Sequence, residues 1–341
     1  MSELQPLGPQ EAVELYLDSR ESELSEKSLE NQKYRLRSFV EWCKSEDIGN
    51  LNDLTGRDLH QFRVWRANGN SDRYEAVSTV TLVGILQTLR KFLEFCASID
   101  AVEQGLRERV LIPEVDPEDE TSDEKLSTDQ AKDLLRYLDR FQYASRDHVI
   151  IAILWHTGIR LGSLRAFDLE DFDPEGRYLQ LRHRPDDSTP LKNGTAAERK
   201  IAVGEHYVQV ISDYIRHHRH DVVDSAGREP LITSRQGRLT EVPIRQTLYR
   251  WTRPCMISDC PHDKHPESCD WMRDNAKASR CPSSQSPHSV RRGAITQHLR
   301  DGVPEEIVTD RMNVSSDVLD QHYDQRSERE RMETRREFLD N

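Results

Sequence analysis

Lysine is scarce in this chain. Ten of the 48 basic residues are Lys and 38 are Arg, set against 61 acidic residues for a formal net charge of −13. Long apolar runs are missing too. No stretch approaches the roughly eighteen residues that a membrane-spanning helix needs. The opening MSELQPLGPQEAVELYL has no basic segment followed by an apolar one, so no secretory signal is expected and the protein is expected in the cytoplasm. A Gly-x-x-x-x-Gly-Lys-Ser/Thr loop is absent, which removes the usual sequence basis for nucleotide-driven chemistry. Cysteine is limited to six residues, and a cytoplasmic setting argues against disulfides among them.

An acid excess with so little Lys looks like the composition of a protein from a high-salt cytoplasm. There the screening length shrinks to about 3 Å at 1 M salt, and counterion release drives DNA binding only weakly. Net charge therefore says little about a polyanionic partner. Local clusters of Arg say more.

At 341 residues the chain has room for two domains, each with a core. Leu36, Phe39, Val40 and Cys43 recur at helical spacing, as do Leu82, Ile85, Leu86, Leu89, Phe92, Leu93 and Cys96. Polar breaks at 50–55 and 68–71 divide this region, which predicts an all-α domain of about four helices over residues 1–112. Cys43 and Cys96 belong to its core. Lys33, Arg35, Arg37, Arg57, Arg63, Arg66, Arg90 and Lys91 decorate it, either as a DNA-facing patch or as an ordinary solvated face. Residues 113–125, PEVDPEDETSDEK, form an acidic linker with seven acidic residues in thirteen and nothing to bury.

A second domain follows over 126–341. Ser127 or Thr128 caps its first helix, and residues 146–155 predict a buried one. Residues 178–203 alternate around a turn and predict a hairpin or three-stranded meander. Helices are expected at 209–219 and 243–251. The whole is mainly α with a small antiparallel β-sheet. Residues 255–281 then gather Cys255, Cys260, Cys269 and Cys281 with His262 and His265. Tetrahedral zinc favours such thiolate and imidazole donors. A structural zinc on the four Cys is expected, with His262 or His265 as a substitute for one; reduced, unliganded thiols are the alternative.

The stretch 286–323, SPHSVRRGAITQHLRDGVPEEIVTDRMNVSSDVLDQHY, carries the chemistry. Ser286 is a good N-cap and Pro287 suits the first helical position. His288 and Arg291, three apart, share a face at the helix end that attracts anions. Asp301-Gly302 closes that helix, Pro304 starts a shorter one ending near Asn313, and Ser315 or Ser316 caps a third bearing His322 and Tyr323.

This His-x-x-Arg with a late Tyr, together with Thr157-Gly158-Ile159-Arg160 and the downstream Leu164, Phe167, Asp168 and Asp171, resembles the tyrosine recombinase (phage integrase) family. The resemblance is to XerC/D-like members, and the acidic, Lys-poor composition points to an archaeal, haloarchaeal one. It implies an N-terminal helical SAM-like core-binding domain and a mixed α/β catalytic domain. It also implies the catalytic set Arg160, Lys192, His288, Arg291 and Tyr323. Lys192 in the hairpin turn matches the family's catalytic Lys, with Lys200 as the rival. Two departures stand out: Ser163 where the family usually has an acidic residue three after the Arg, and Val314 where it has His or Trp nine before the Tyr.

The implied reaction needs a nucleophile, cations for the non-bridging oxygens and a proton for the leaving 5′ oxygen. Arg160 and Arg291 suit the phosphate, Lys192 the proton, and Tyr323 a 3′-phosphotyrosine link. His288 orients the phosphate or accepts the Tyr proton. No catalytic cofactor is implied. Double-stranded DNA is the implied partner, bound by a tetramer of chains that are monomers or weak dimers when free. Alternatives are type IB topoisomerase-like relaxation and a catalytically impaired DNA-binding regulator. The charged tail after Tyr323 ends in Phe338 and Leu339, which suggests docking on a neighbouring protomer.

Overall fold

In a computed structural model, the structure describes residues 4–69, 74–115, 125–265 and 267–322, together with 329, 332, 333 and 336. The chain forms two compact units, Met1–Ser122 and Asp123–Asn341.

The first unit is helical among its described residues: α1 (Pro9–Ser19), α2 (Glu26–Ser45), α3 (Gly56–Asn68) and α4 (Thr79–Ser98). Their starts follow from local chemistry. Pro9 opens α1, Ser25 and Ser78 cap α2 and α4, and Thr55 with Asp58 makes a capping box on α3. The buried faces meet in an aromatic core, with the Phe39 and Phe62 rings 5.3 Å apart edge to face and Tyr16 against Phe92 at 5.7 Å. Cys43 and Cys96 are fully buried there, and burial pushes both thiols up to about 12. Three of the scattered arginines serve the fold. Arg35 donates to Thr88 Oγ1 (3.2 Å), Arg66 to the Glu75 carbonyl (2.9 Å) and Arg90 to the Val110 carbonyl (2.6 Å). Lys33, Arg37, Arg57 and Lys91 remain exposed.

The second unit begins with α5 (Thr128–Phe141), held by a Ser127–Gln130 capping box, and α6 (Arg146–Thr157). From His148 to Trp155 every residue of α6 is buried, so it is apolar all round and forms the spine of the core. Short α7 (Leu161–Ala166) leads to an antiparallel sheet of β1 (Phe172–Asp173), β2 (Tyr178–Leu181) and β3 (Arg199–Ala202), ordered 1-2-3. Leu179 pairs with Ile201 and both face the core. Then come α8 (Glu205–His217), the two-residue strands β4 (Thr233–Ser234) and β5 (Gly237–Arg238), α9 (Glu241–Trp251) and α10 (Asp270–Arg273). The unit continues with α11 (Pro287–Arg300), α12 (Glu305–Met312) and α13 (Ser316–His322).

A buried ionic lattice braces the long β2–β3 connection. Asp168, nearly inaccessible, accepts from Arg228 (3.0 Å) and from Arg238, and lies 3.4 Å from Arg184. Arg184 also forks onto Asp171 at 3.0 and 2.9 Å, and Arg238 bonds Asp224 at 2.8 Å. Unpaired, such charges would be costly to bury; paired and hydrogen-bonded, they fix geometry.

Helix α11 runs so close to the start of the unit that Gly293 has no room for a side chain. A Cβ there would lie 2.2 Å from the Leu126 carbonyl oxygen and 2.9 Å from Trp155 Cζ3. Ala favours helices in general, but overpacking against backbone costs about 3 kcal/mol. Gly293→Ala is therefore expected to lower the urea midpoint clearly. A midpoint equal to that of the parent protein would show that the contact relaxes freely.

Candidate active site

Three helix ends and one loop build the site. Gly158, at φ +60, ends α6 in the left-handed region that glycine adopts without strain and turns the chain so that Arg160 becomes the N-cap residue of α7. Ser286 caps α11 by accepting from the Ser289 amide at 3.1 Å, which sets His288 and Arg291 in its first turn and a half. Asn313, at φ 49, ends α12 in the same left-handed region. The loop between β2 and β3 brings Lys192.

Hydrogen bonds tie these segments together. Buried Arg291 donates through Nη1 to the Gly158 carbonyl (2.7 Å), two residues before Arg160, and through Nη2 to the Asn313 carbonyl (3.4 Å). Asn193, beside Lys192, donates to Asn313 Oδ1 at 3.3 Å. The loop itself is seated by the Leu191 amide donating to His183 Nδ1 (2.9 Å), by Arg165 on the Ser188 carbonyl (2.6 Å) and by Arg228 on the Asp187 carbonyl (2.9 Å).

The electrostatics report the same convergence. The His288 imidazole is pushed down to about 4, first by loss of solvent around the ring and then by Arg292, Arg291, Lys192 and Arg160. It is neutral throughout the physiological range. Arg199 at the start of β3 is lowered to about 10 by burial and by Arg291, Arg160 and Arg311, with Asp310 opposing. A chain with net charge −13 thus gathers six cations around one histidine and one loop. Such a cluster is unfavourable until an anion enters it.

Arg160, Lys192, His288 and Arg291 therefore come together. Lys200 does not join them: its ammonium sits over the Tyr178 ring, 4.2 Å from the centroid. Among the described residues no carboxylate pairs with the Arg160 guanidinium, so Ser163 is not replaced by another acid. Val314 is buried with Ile295, Leu299, Val308, Met312 and Leu319. Tyr323, Phe338 and Leu339 lie outside the described residues. Sequence reasoning missed the inner roles of Arg199, Arg311, Asn193 and Asn313.

The expected zinc site is not supported. Cys255, Cys260, Cys269 and Cys281 are all free thiols, and among the described residues no three His, Cys, Asp or Glu side chains could hold an ion together. The physical anchor of this segment is Arg253 instead, almost wholly buried, which donates to the Trp271 carbonyl and to the Arg250 carbonyl (3.1 Å). His262 Nε2 shares a hydrogen bond with Ser283 Oγ (2.9 Å), and His265 joins no ion-holding group. The Cys255 thiol lies 3.9 Å from Met272 Sδ, and burial raises its pKa.

With the fold and this geometry established, the comparisons fall into one class. Residues 124–330 match the profile described as the phage integrase family, and the chain belongs to that family. Tyrosine recombinase XerD of Mycobacterium tuberculosis (strain CDC 1551 / Oshkosh) is 23% identical over 317 residues, covering 90% of each protein. Among solved structures, the Tn1549 transposon integrase in complex with transposon right end DNA aligns with a TM-score of 0.66 at 15% identity, over 97% of this chain and 99% of that one. A lambda integrase dimer bound to a COC′ core site aligns with a TM-score of 0.64 at 13% identity, over 95% and 79%. These likenesses show the tyrosine recombinase fold, mainly α with small antiparallel sheets.

Proposed function

We propose that this tyrosine-type DNA strand transferase carries out site-specific recombination through a 3′-phosphotyrosine intermediate. The observation that carries the reading is the cation cluster of Arg160, Lys192 and Arg291 around a neutral His288. Arg160 and Arg291 clamp the non-bridging oxygens of the scissile phosphate. The phenolic oxygen of Tyr323 attacks phosphorus, the bond to the 5′ oxygen breaks, and Lys192 delivers a proton to that oxygen. His288 orients the phosphate in the free-to-bound transition, and the phosphate's own charge raises its basicity as the ester binds, so that it accepts the Tyr proton. Attack by a second 5′ hydroxyl reverses these steps on a new strand. The phosphodiester bond energy stays in the protein link, so the exchange requires no cofactor. A structural zinc on the four thiols has no support in their arrangement, and no step rests on it.

Double-stranded DNA is the partner; the Tn1549 integrase structure holds transposon right end DNA, and the lambda integrase dimer is bound to a COC′ core site. Residues 1–112 act as the core-binding domain, 113–125 as the linker and 126–341 as the catalytic domain. Exchange between two duplexes calls for four copies, which gives the tetramer. Among the described residues no helix is long and apolar enough to cross a membrane, and a DNA substrate suits the cytoplasm. The Arg-rich, Lys-poor acidic composition favours a haloarchaeal member of the family, and the likeness to XerD favours a XerC/D-like one.

A nicked suicide duplex carrying the target site tests the reading. A covalent protein–DNA adduct is expected on a denaturing gel, and recombinant products on an intact pair of sites. Adduct with relaxation of supercoils alone would make the protein a type IB topoisomerase-like relaxer. Tight binding with no adduct would make it a DNA-binding regulator.

A further inference from the structure

The turn between α12 and α13 is held by donors from the site's own elements. Helix α12 leaves its last carbonyls without intrahelical partners, as every helix does. The Thr309 and Asp310 carbonyls are taken by the amides of Val314 (3.1 Å) and Asn313 (3.3 Å). The Arg311 carbonyl accepts from Arg199 Nε at 2.8 Å, and the Asn313 carbonyl from Arg291 Nη2 at 3.4 Å. Arg311 reaches the other way, donating to the carbonyls of Ala202 on β3 (2.8 Å) and His156 on α6 (3.1 Å). Arg199 and Arg311 thus lace β3 to the end of α12 in both directions.

The position of Val314 gives this lacing its purpose. Its side chain is turned into the apolar cluster under α12 and α13, so it offers no hydrogen bond at the turn. The Arg199 guanidinium is the donor from the sheet that reaches this turn. Its Nη1 is committed to the Ala197 carbonyl at 2.7 Å, at the base of the loop that carries Lys192. One planar fork therefore bonds the backbone of the Lys192 loop and the backbone that leads into α13. An ammonium on a flexible stem has no such fixed fork.

We propose that Arg199 is a positioning residue that locks the α12–α13 turn to the Lys192 loop, setting the nucleophile helix relative to the general acid. The inference rests on the recombinase reading above for the roles of Lys192 and Tyr323. It requires Arg199 to act through its two carbonyl contacts, not through its charge on DNA. A displacement of about 1 Å at a reacting centre costs on the order of a hundredfold in rate.

The test compares Arg199→Lys, which keeps the charge, with Arg199→Ala, which removes it. Single-turnover adduct formation on the suicide duplex is followed as a function of protein concentration. Both variants are expected to lose about a hundredfold in the saturating rate, while the half-saturating concentration stays within about twofold of the parent. Hydrogen exchange in the free protein is expected to rise in residues 312–322 in both variants and to stay unchanged in α5 and α6. If Arg199→Lys restores the parent rate, or if Arg199→Ala loses affinity and keeps its saturating rate, Arg199 is a phosphate contact and the inference fails. Should the parent protein itself form no adduct, the recombinase reading fails. Exchange at 312–322 then still decides whether Arg199 holds the turn. If Arg199→Ala does not fold, Arg199→Lys alone carries both readouts.

Discussion

Replacing Tyr323 with Phe is expected to abolish the covalent adduct completely and to leave DNA affinity unchanged. The substitution deletes one oxygen and keeps the ring, so only the nucleophile is lost. The preceding residues explain why a nucleophile at this position can be presented at all. Leu319 of α13 is almost wholly buried against Ile295 and Leu299 of α11 and Val308 and Met312 of α12, which fixes the helix to the one that carries His288 and Arg291. Denaturing electrophoresis on the suicide duplex measures the adduct, and a mobility shift measures binding. Adduct persisting in Tyr323→Phe would assign the nucleophile to another residue.

The two clamp arginines are expected to fail in different ways. Arg160→Ala and Arg291→Ala should each lower the cleavage rate by about 10²- to 10³-fold, the scale set by loss of one preorganised donor to a developing charge. Their stabilities should diverge. Arg291 is buried and holds the carbonyls of Gly158 and Asn313, so its loss leaves the buried Gly158 acceptor unpaired, worth about 1–3 kcal/mol, and releases the part-buried Asn313 carbonyl. Arg160 is half-buried and has no hydrogen-bond or ion-pair partner for its guanidinium among the described residues, while it stands close enough to Arg199 to repel its charge. Arg160→Ala should therefore melt at or slightly above the temperature of the parent, and Arg291→Ala well below it. Equal losses of stability, or near-normal cleavage by either variant, would contradict this division between a chemical arginine and one that also frames the site.

How much of this was visible in the chain depends on the range of the interaction. Helix starts at Ser127, Ser286 and Pro287 rest on contacts three or four residues long, and the sequence displays them directly. Thr157-Gly158-Ile159-Arg160 shows its turn because only glycine sits easily at φ +60. The choice between Lys192 and Lys200 was open, since both lie near one turn; the ring of Tyr178, diagonal to Lys200 across the β2–β3 pairing, is what separates them. Asn193 meeting Asn313 joins positions 120 residues apart, and no periodicity announces such a pair. The arginines misled in one respect. Arg35, Arg66 and Arg90 look like a basic surface in sequence, but each spends its donors on a neighbour within its own domain. The four cysteines misled in another, because nearness along the chain says nothing about whether thiols face a common point, and Arg253 secures that segment by other means.

The lattice around Asp168 makes this part of the chain tolerant of change in one direction only. Three guanidiniums, from Arg184, Arg228 and Arg238, draw on that single carboxylate, while Asp171 serves the first and Asp224 the other two. Any one arginine can be exchanged and its acids keep a cation. Removal of Asp168 leaves three part-buried charges competing for what remains. The acids are therefore the fixed points of this lattice, and the arginines its replaceable members.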